Sequence, residues 1–308
     1  SFRNNAFYFQ QSYLLNNKIN VIWGSRWDND KIESLDYYIS DGLGSGFTSL
    51  NNTSPFAGLT YLLNKSMSIY TNYSNHYETP TLNELSNDPD SQSVGGFNPK
   101  LNPQISNSFE IGSKGYVNNY FYYDIALFRS KIDNEITSFE LEESPGKTFY
   151  RNIGESQKEG IEMSLSSNIG NNTTLNLGYT YSKFEYANYV KNNKNLNGNR
   201  LPGIPQNTFN SDIYYVNPNG YFIMAGLTRY GIIYLNDLNE HEIDPYSIVN
   251  LRVGSEYKLF GSKLKVHIGA NNLLNANYYS NLRVNAWGRR FYEPAPQANF
   301  YMGTEVIF

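Results

Sequence analysis

Along most of this chain apolar side chains recur at every second residue, and the charged ones fall between them. In SIVNLRVGSEYKL, Val249, Leu251, Val253, Tyr257 and Leu259 share one parity, and Asn250, Arg252, Gly254, Glu256 and Lys258 the other. KLKVHIGAN sets Leu264, Val266, Ile268 and Ala270 against Lys263, Lys265, His267 and Gly269. IEMSLSSNI (Ile161, Met163, Leu165, Ile169) and TTLNLGYTY (Leu175, Leu177, Tyr179, Tyr181) follow the same rule. Successive strand side chains point to opposite faces, so each segment predicts a strand with one apolar and one wet face. Helical spacing is scarce, and no run approaches the ~18 apolar residues of a spanning helix.

The last residues carry the pattern furthest. Phe300, Met302, Thr304, Val306 and Phe308 fall on one face, and Asn299, Tyr301, Gly303, Glu305 and Ile307 on the other. A soluble sheet gains little by ending on an aromatic, whereas an outer-membrane barrel places such residues against lipid and at its interfacial girdle. Mean hydropathy is −0.54, so the average residue is polar, although 16% of residues are aromatic. An arginine or lysine facing mid-bilayer costs roughly 2–4 kcal/mol, so the charges between the apolar positions belong to a wet interior. The absence of cysteine fits an oxidising compartment, and a formal charge of −4 argues against nucleic acid as a partner.

Short polar turns near 16–17, 64–65, 115–119, 170–172, 218–220 and 260–262 alternate with longer polar stretches at about 40–52, 76–102, 134–147, 187–202, 236–244 and 276–296. This is the rhythm of an up-and-down barrel with brief periplasmic turns and extended extracellular loops. The expected fold is all-β, a transmembrane antiparallel barrel with thirteen strands in residues 1–308. Single-chain bacterial barrels have even strand numbers, and an open sheet edge is untenable in lipid. The first strand, about 5–15, runs downward, and the chain opens on Ser1 without a leader-like segment. The expectation is therefore the C-terminal part of a larger barrel domain.

Five segments in order resemble TonB-dependent outer-membrane receptors of the siderophore and ferric-dicitrate type. They are YTNYSNHYETPTLNEL (70–85), LNPQISNSFEIGSKG (101–115), RNIGESQKEGIEMSL (151–165), RLPGIPQNTFN (200–210) and GANNLLNANYYSNLRVNAWGRRFYEPAPQANFYMG (269–303). The resemblance implies a 22-stranded, plugged barrel in the outer membrane of a Gram-negative bacterium, built by the barrel-assembly machinery and bounded by outer-membrane lipid. It implies uptake of a ferric siderophore or similar iron chelate, driven by the proton-motive force through the TonB system and a plug domain not found in this chain. The barrel itself needs no cofactor. Cobalamin, copper or a saccharide are alternative cargoes, and a passive porin-like channel shares the strand pattern.

A chelate receptor meets its ligand with arginine forks and aromatic faces. Residues 276–296 concentrate them in Arg283, Trp287, Arg289, Arg290 and Tyr292. Arg200, before Leu-Pro-Gly-Ile-Pro, and His76 with Tyr77, opening the 76–102 stretch, are further candidates for the outer mouth. Each has a structural reading beside it: a lumen salt bridge for Arg200, an exposed polar loop for His76. Arg229 shares the parity of Tyr221, Ile223 and Leu227, and its direction is open. His267 is expected in the lumen beside Lys263 and Lys265. Asp28 and Asp30 lack the loop of a calcium site, so no metal site is expected. Phe300, Met302, Val306 and Phe308 form the expected insertion signature. No Gly-x-Ser-x-Gly, His-Glu-x-x-His or phosphate-cradling loop occurs, DGLGSG (41–46) having no helix after it. No catalytic residue and no enzyme activity are expected.

Overall fold

The computed structural model describes residues 1–37, 44–90, 96–118, 120–191, 193–259 and 261–308. Residues 41–43 of the glycine-rich segment, Asn119 and Phe260 of two expected turns, and the side chain of Leu259 lie outside the described residues. The chain runs through β1 (Phe2–Asn16), β2 (Ile19–Ser34), β3 (Gly46–Leu62), β4 (Met67–Glu78), the one-turn α1 (Leu82–Leu85), β5 (Gln104–Val117) and β6 (Phe121–Asp133). It continues through β7 (Ile136–Leu141), β8 (Ser144–Asn152), β9 (Glu155–Ile169), β10 (Thr173–Asn188), β11 (Val190–Lys191), β12 (Lys194–Asn195), β13 (Asn207–Val216) and β14 (Tyr221–Tyr230). The last elements are β15 (Ile233–Tyr234), β16 (Glu242–Ile243), β17 (Tyr246–Leu259), β18 (Ser262–Asn271), β19 (Tyr279–Leu282), β20 (Tyr292–Pro294) and β21 (Asn299–Ile307).

Thirteen of these form one sheet in the order β1-β2-β3-β4-β5-β6-β9-β10-β13-β14-β17-β18-β21. Every neighbouring pair is antiparallel, for instance β9 with β10 and β17 with β18. The count and the up-and-down order agree with the alternation of short and long connections. The long connections, however, are built rather than loose. Four of them carry two-stranded hairpins, β7–β8, β11–β12, β15–β16 and β19–β20. The stretch expected as a loop over 40–52 is strand from Gly46 onward, pairing with β2 as far as Ser34↔Gly46. Above the lipid both faces of a hairpin are wet, so the hydrophobic alternation that marks a strand fades while the backbone ladder continues.

Register carries the two faces across the sheet. Leu251, Ala270 and Phe300 lie in one row, and Val253, Ile268 and Met302 in the next. Arg252 pairs with Gly269, Glu256 with Lys265 and Lys258 with Lys263, all of the opposite parity. His267 falls on that wet face beside Lys263 and Lys265, as expected. Toward the short-turn end the apolar face carries an aromatic on many strands: Tyr13, Tyr61, Phe121, Tyr215, Tyr221, Tyr257 and, at the end, Phe308. Six to eight residues higher on this face come Phe7, Trp27, Tyr73, Phe109, Tyr181 and Phe209. Eight residues at about 3.3 Å each, tilted near 40°, rise roughly 20 Å, close to the apolar band of an outer-membrane wall.

Charges enter the apolar face only above the second aromatic belt. There Arg129, Lys131, Glu155, Glu159, Lys183 and Glu185 cross-link β6, β9 and β10, with Lys131–Glu155 at 3.0 Å and Lys183–Glu159 at 3.0 Å. Arg229 sits at the same level on β14, facing outward, and donates to Ser247 Oγ at 3.2 Å. The three clusters of buried apolar side chains lie at the long-loop end as well. One joins Ile153, Tyr186, Tyr189, Leu196 and Leu201; another Ile233, Leu235, Ile243, Ala286 and Phe291; the third Ile32, Leu85, Phe97 and Leu101. The wall needs no hydrophobic core in its span because lipid takes that part; the loops, in water, must supply their own.

Candidate functional site

The loop between β18 and β21 begins with a turn at Asn272, whose buried side chain bonds Ala276 at both its backbone groups. Its hairpin, β19–β20, is held by Tyr279 stacked on Tyr292, ring centroids 4.4 Å apart. At the tip, Trp287–Arg289 make a single 3-10 turn. Gly288 (φ 69°) and Arg289 (φ 59°) both adopt the left-handed conformation, which costs a residue with a Cβ about 1–2 kcal/mol. All five loop candidates are thus gathered on one short crest.

Their electrostatic duties differ. Arg283 embraces Glu293 through Nε at 3.2 Å and Nη2 at 3.0 Å. Arg290 reaches Glu140 on β7 at 2.7 Å and bonds the Trp287 carbonyl through Nε. Glu140 is largely buried, its side chain 7% exposed, so this pair ties two loops together. Arg289 forms no hydrogen bond or ion pair among the described residues, and its backbone is strained. Trp287 is 43% exposed and Tyr292 47%. The crest therefore presents a free guanidinium beside an open indole, while Arg283 and Arg290 are neutralised in place. A cleft of about 380 Å³ separates β7–β8 from residues 281–284, with Phe139, Glu140, Thr148 and Arg283 in its walls.

The remaining candidates lie elsewhere. Arg200 contacts Glu185 at 3.5 Å and donates to the Ser182 carbonyl. Glu185 has the parity of Lys183 on β10, so this ion pair stands on the outer side of the wall and not in the lumen, as the sequence led us to expect. His76 and Tyr77 are on β4, far across the sheet from β18. His76 Nε2 shares a hydrogen bond with Ser74 Oγ at 2.9 Å, and the Tyr77 hydroxyl is buried without a partner. Neither contacts the arginine crest. Asp28 is bound by Arg26 at 2.8 Å and by Asn4, which also reaches Asp30. Among the described residues no group of three or more His, Asp or Glu is arranged to hold a metal ion.

A buried carboxylate organises the loops, and sequence reading passed over it. Asp237, fully buried, accepts from Tyr186 Oη at 2.8 Å, Asn285 Nδ2 at 2.6 Å, Lys191 Nζ at 2.9 Å and Tyr189 Oη at 3.4 Å. Arg151 Nη2 approaches to 3.8 Å. Burial, then the Asp237 charge, pushes the Tyr189 phenol up, so it remains a neutral donor. Breaking a buried pair of this kind by removing one partner costs about 3–5 kcal/mol. In sequence Asp237 sits in NDLNE, a polar stretch like any exposed loop; only its neighbours in space distinguish it.

Comparison with known proteins places this architecture. The family described as TonB dependent receptor-like, beta-barrel matches residues 1–273. A probable TonB-dependent siderophore receptor, PiuA, of Acinetobacter baumannii is 29% identical over 211 residues, 63% of this chain and 27% of its own length. The ferrioxamine B receptor of Salmonella typhimurium is 26% identical over 88% of this chain and 36% of its own. Among solved structures, the ferric-catecholate import receptor Fiu of E. coli superposes with a TM-score of 0.73 at 19% identity, over 99% of this chain and 44% of that one. The copper transporter OprC gives 0.79 at 14% identity, over 99% and 47%. These structural likenesses establish the fold. The chain spans about a third of the length of the curated relatives it matches.

Proposed function

Because this chain belongs to the TonB-dependent receptor β-barrel family, a family of receptors and transporters, we propose that it forms wall and extracellular loops of a receptor that takes up ferric siderophores. The outer membrane of a Gram-negative bacterium is its setting. The observation that carries the proposal is the relatives themselves: receptors named for siderophores, ferrioxamine B among them, align across most of the chain. The two aromatic belts and the confinement of outward charges above them support a wall immersed in lipid. β1 and β21 each have a single sheet neighbour, and a sheet in lipid must close. On this reading residues 1–308 are one barrel domain's C-terminal part, and the strands that close the barrel, with the plug that engages the TonB system, belong to the rest of the receptor.

In this proposal the crest captures the chelate by its rim. The Arg289 guanidinium supplies planar donors to the oxygen-rich surface of an iron chelate, and Trp287 covers an apolar face. Energy coupling then lies with the plug and not with this chain's side chains. The test is binding of radioiron-labelled ferrioxamine B and of a ferric tris-catecholate to cells bearing the intact receptor. Arg289→Ala should weaken whichever chelate the receptor takes at least tenfold with unchanged receptor level. Wild-type binding by that variant removes the crest from the site, and failure of the unmodified receptor to take any ferric chelate removes the siderophore reading.

A further inference from the structure

Four extracellular connections meet at Asp237, and one of them carries the crest. Asp237 and Asn285 hold each other reciprocally: Asn285 Nδ2 donates to Asp237 Oδ1 at 2.6 Å, and the Asp237 amide donates to Asn285 Oδ1 at 3.0 Å. The Asn285 amide adds a bond to the Leu235 carbonyl at 3.0 Å. Asn285 is left-handed (φ 56°), so it turns the chain two residues before Trp287. Its Nδ2 also reaches the Ser138 carbonyl at 3.5 Å on β7. Behind it, Ala286 and Phe291 pack with Ile233, Leu235 and Ile243. The crest is thus set on a base held at Asn285 by the Asp237 carboxylate, beside the Arg290–Glu140 pair at its tip.

The other side of Asp237 faces cations. Lys191 and Arg151 converge on Oδ2 at 2.9 and 3.8 Å, and the Arg151 guanidinium lies over the Phe139 ring at 4.6 Å. Two of its nitrogens, Nε and Nη2, are buried without a hydrogen bond. Without the Asp237 charge, Lys191 and Arg151 confront each other with no anion between them, and the loops bearing them separate. Asn199 Nδ2 further bonds the Asp237 carbonyl at 2.9 Å, bringing the 187–202 stretch to the same point.

Resting on the reading of Trp287 and Arg289 as chelate contacts, we propose that Asp237 is a positioning residue for capture: it locks Asn285 and thereby the orientation of the crest, without touching the ligand. The four loops then form one preorganised body, and the chelate does not bear the cost of ordering them. The experiment is a double-mutant cycle in the intact receptor on cells, with radioiron ferrioxamine B and a ferric tris-catecholate as probes. Arg289→Ala and Asp237→Ala should each weaken binding about tenfold or more, and the double variant should be no weaker than the worse single one. A nitroxide at Asn281→Cys, with any cysteine outside these 308 residues replaced, should gain mobility in Asp237→Ala but not in Arg289→Ala. Should Asp237→Ala fail to assemble, Asn285→Ala removes the same fastening without baring the two cations and should give the same non-additivity. Additive losses, or weakened binding in Arg289→Ala with Asp237→Ala and Asn285→Ala unchanged, overturn the positioning role. Unchanged binding in Arg289→Ala instead overturns the crest reading on which it rests.

Discussion

Two adjacent residues on β10 give the sharpest test of which side of this wall meets lipid. Leu177 lies on the apolar face, paired with Leu165 and Ser211, four residues above the short-turn end of its strand at Thr173 and four below Tyr181. Asn176 points the other way, paired with Ser166 and Asp212, and accepts from Ser166 Oγ at 2.7 Å. An arginine at 177 must sit near mid-bilayer, at about 2–4 kcal/mol, and the change forfeits the transfer of a leucine side chain, about 1.5–3 kcal/mol. The sum is at least about 3.5 kcal/mol, more than two powers of ten in a folding equilibrium. An arginine at 176 enters water opposite the Asp212 carboxylate. There the effect stays within about 0.5 kcal/mol, with a small Coulombic gain in low salt. Urea titration of the intact receptor in phospholipid vesicles, followed by the mobility shift of folded barrels in gels, separates the two. Leu177→Arg should move the midpoint by about 1 M or more at a slope near 3 kcal/mol/M, and Asn176→Arg should leave it in place. Equal losses, or a greater loss for Asn176→Arg, would refute the assignment of faces and with it the lipid-immersed wall.

Arg289→Gly should raise the stability of the loop by relieving left-handed strain, about 1–2 kcal/mol, while abolishing the gain from the guanidinium in chelate binding; proteolysis rates and radioiron binding on the same cells should move in opposite directions. Deleting Phe308 should slow outer-membrane assembly, read as the fraction of folded receptor after a pulse of synthesis, and a wild-type fraction would remove the terminal aromatic from the insertion signature. Gly220, at φ 91° in the short turn between β13 and β14, would place an added Cβ 2.3 Å from the Glu256 carbonyl. Gly220→Ala should therefore destabilise the β13–β14–β17 join by about 1–3 kcal/mol, visible as lost hydrogen-exchange protection at the Glu256 amide, which donates to the Gly220 carbonyl; Gly170→Ala, at φ 64° but with open space for its Cβ, should bear left-handed strain alone and lose less.

How much of the molecule could be read from its residues differs sharply between wall and loops. A membrane wall is governed by a one-dimensional rule. Each strand meets lipid on one side and water on the other, so parity alone separates Leu251 from Arg252 and Ile268 from His267, and the strand count follows from where the rule is interrupted. Above the lipid the rule has no physical basis, and there the reading lost the strand from Gly46 to Asn52 and all four loop hairpins. The arginine-rich segment was legible as composition. That Arg290 is bound by Glu140, 150 residues away in sequence, while Arg289 is free, was not. Asp237 shows the same limit most plainly: its tyrosines, lysine, arginine and asparagine come from three connections other than its own, and a loop residue acquires a buried partner only when the wall has brought those connections side by side. Period-two hydrophobicity determined the membrane barrel because lipid imposes it strand by strand. The arrangement of the mouth was decided by tertiary structure, because charges in water pair with whatever the fold delivers to them.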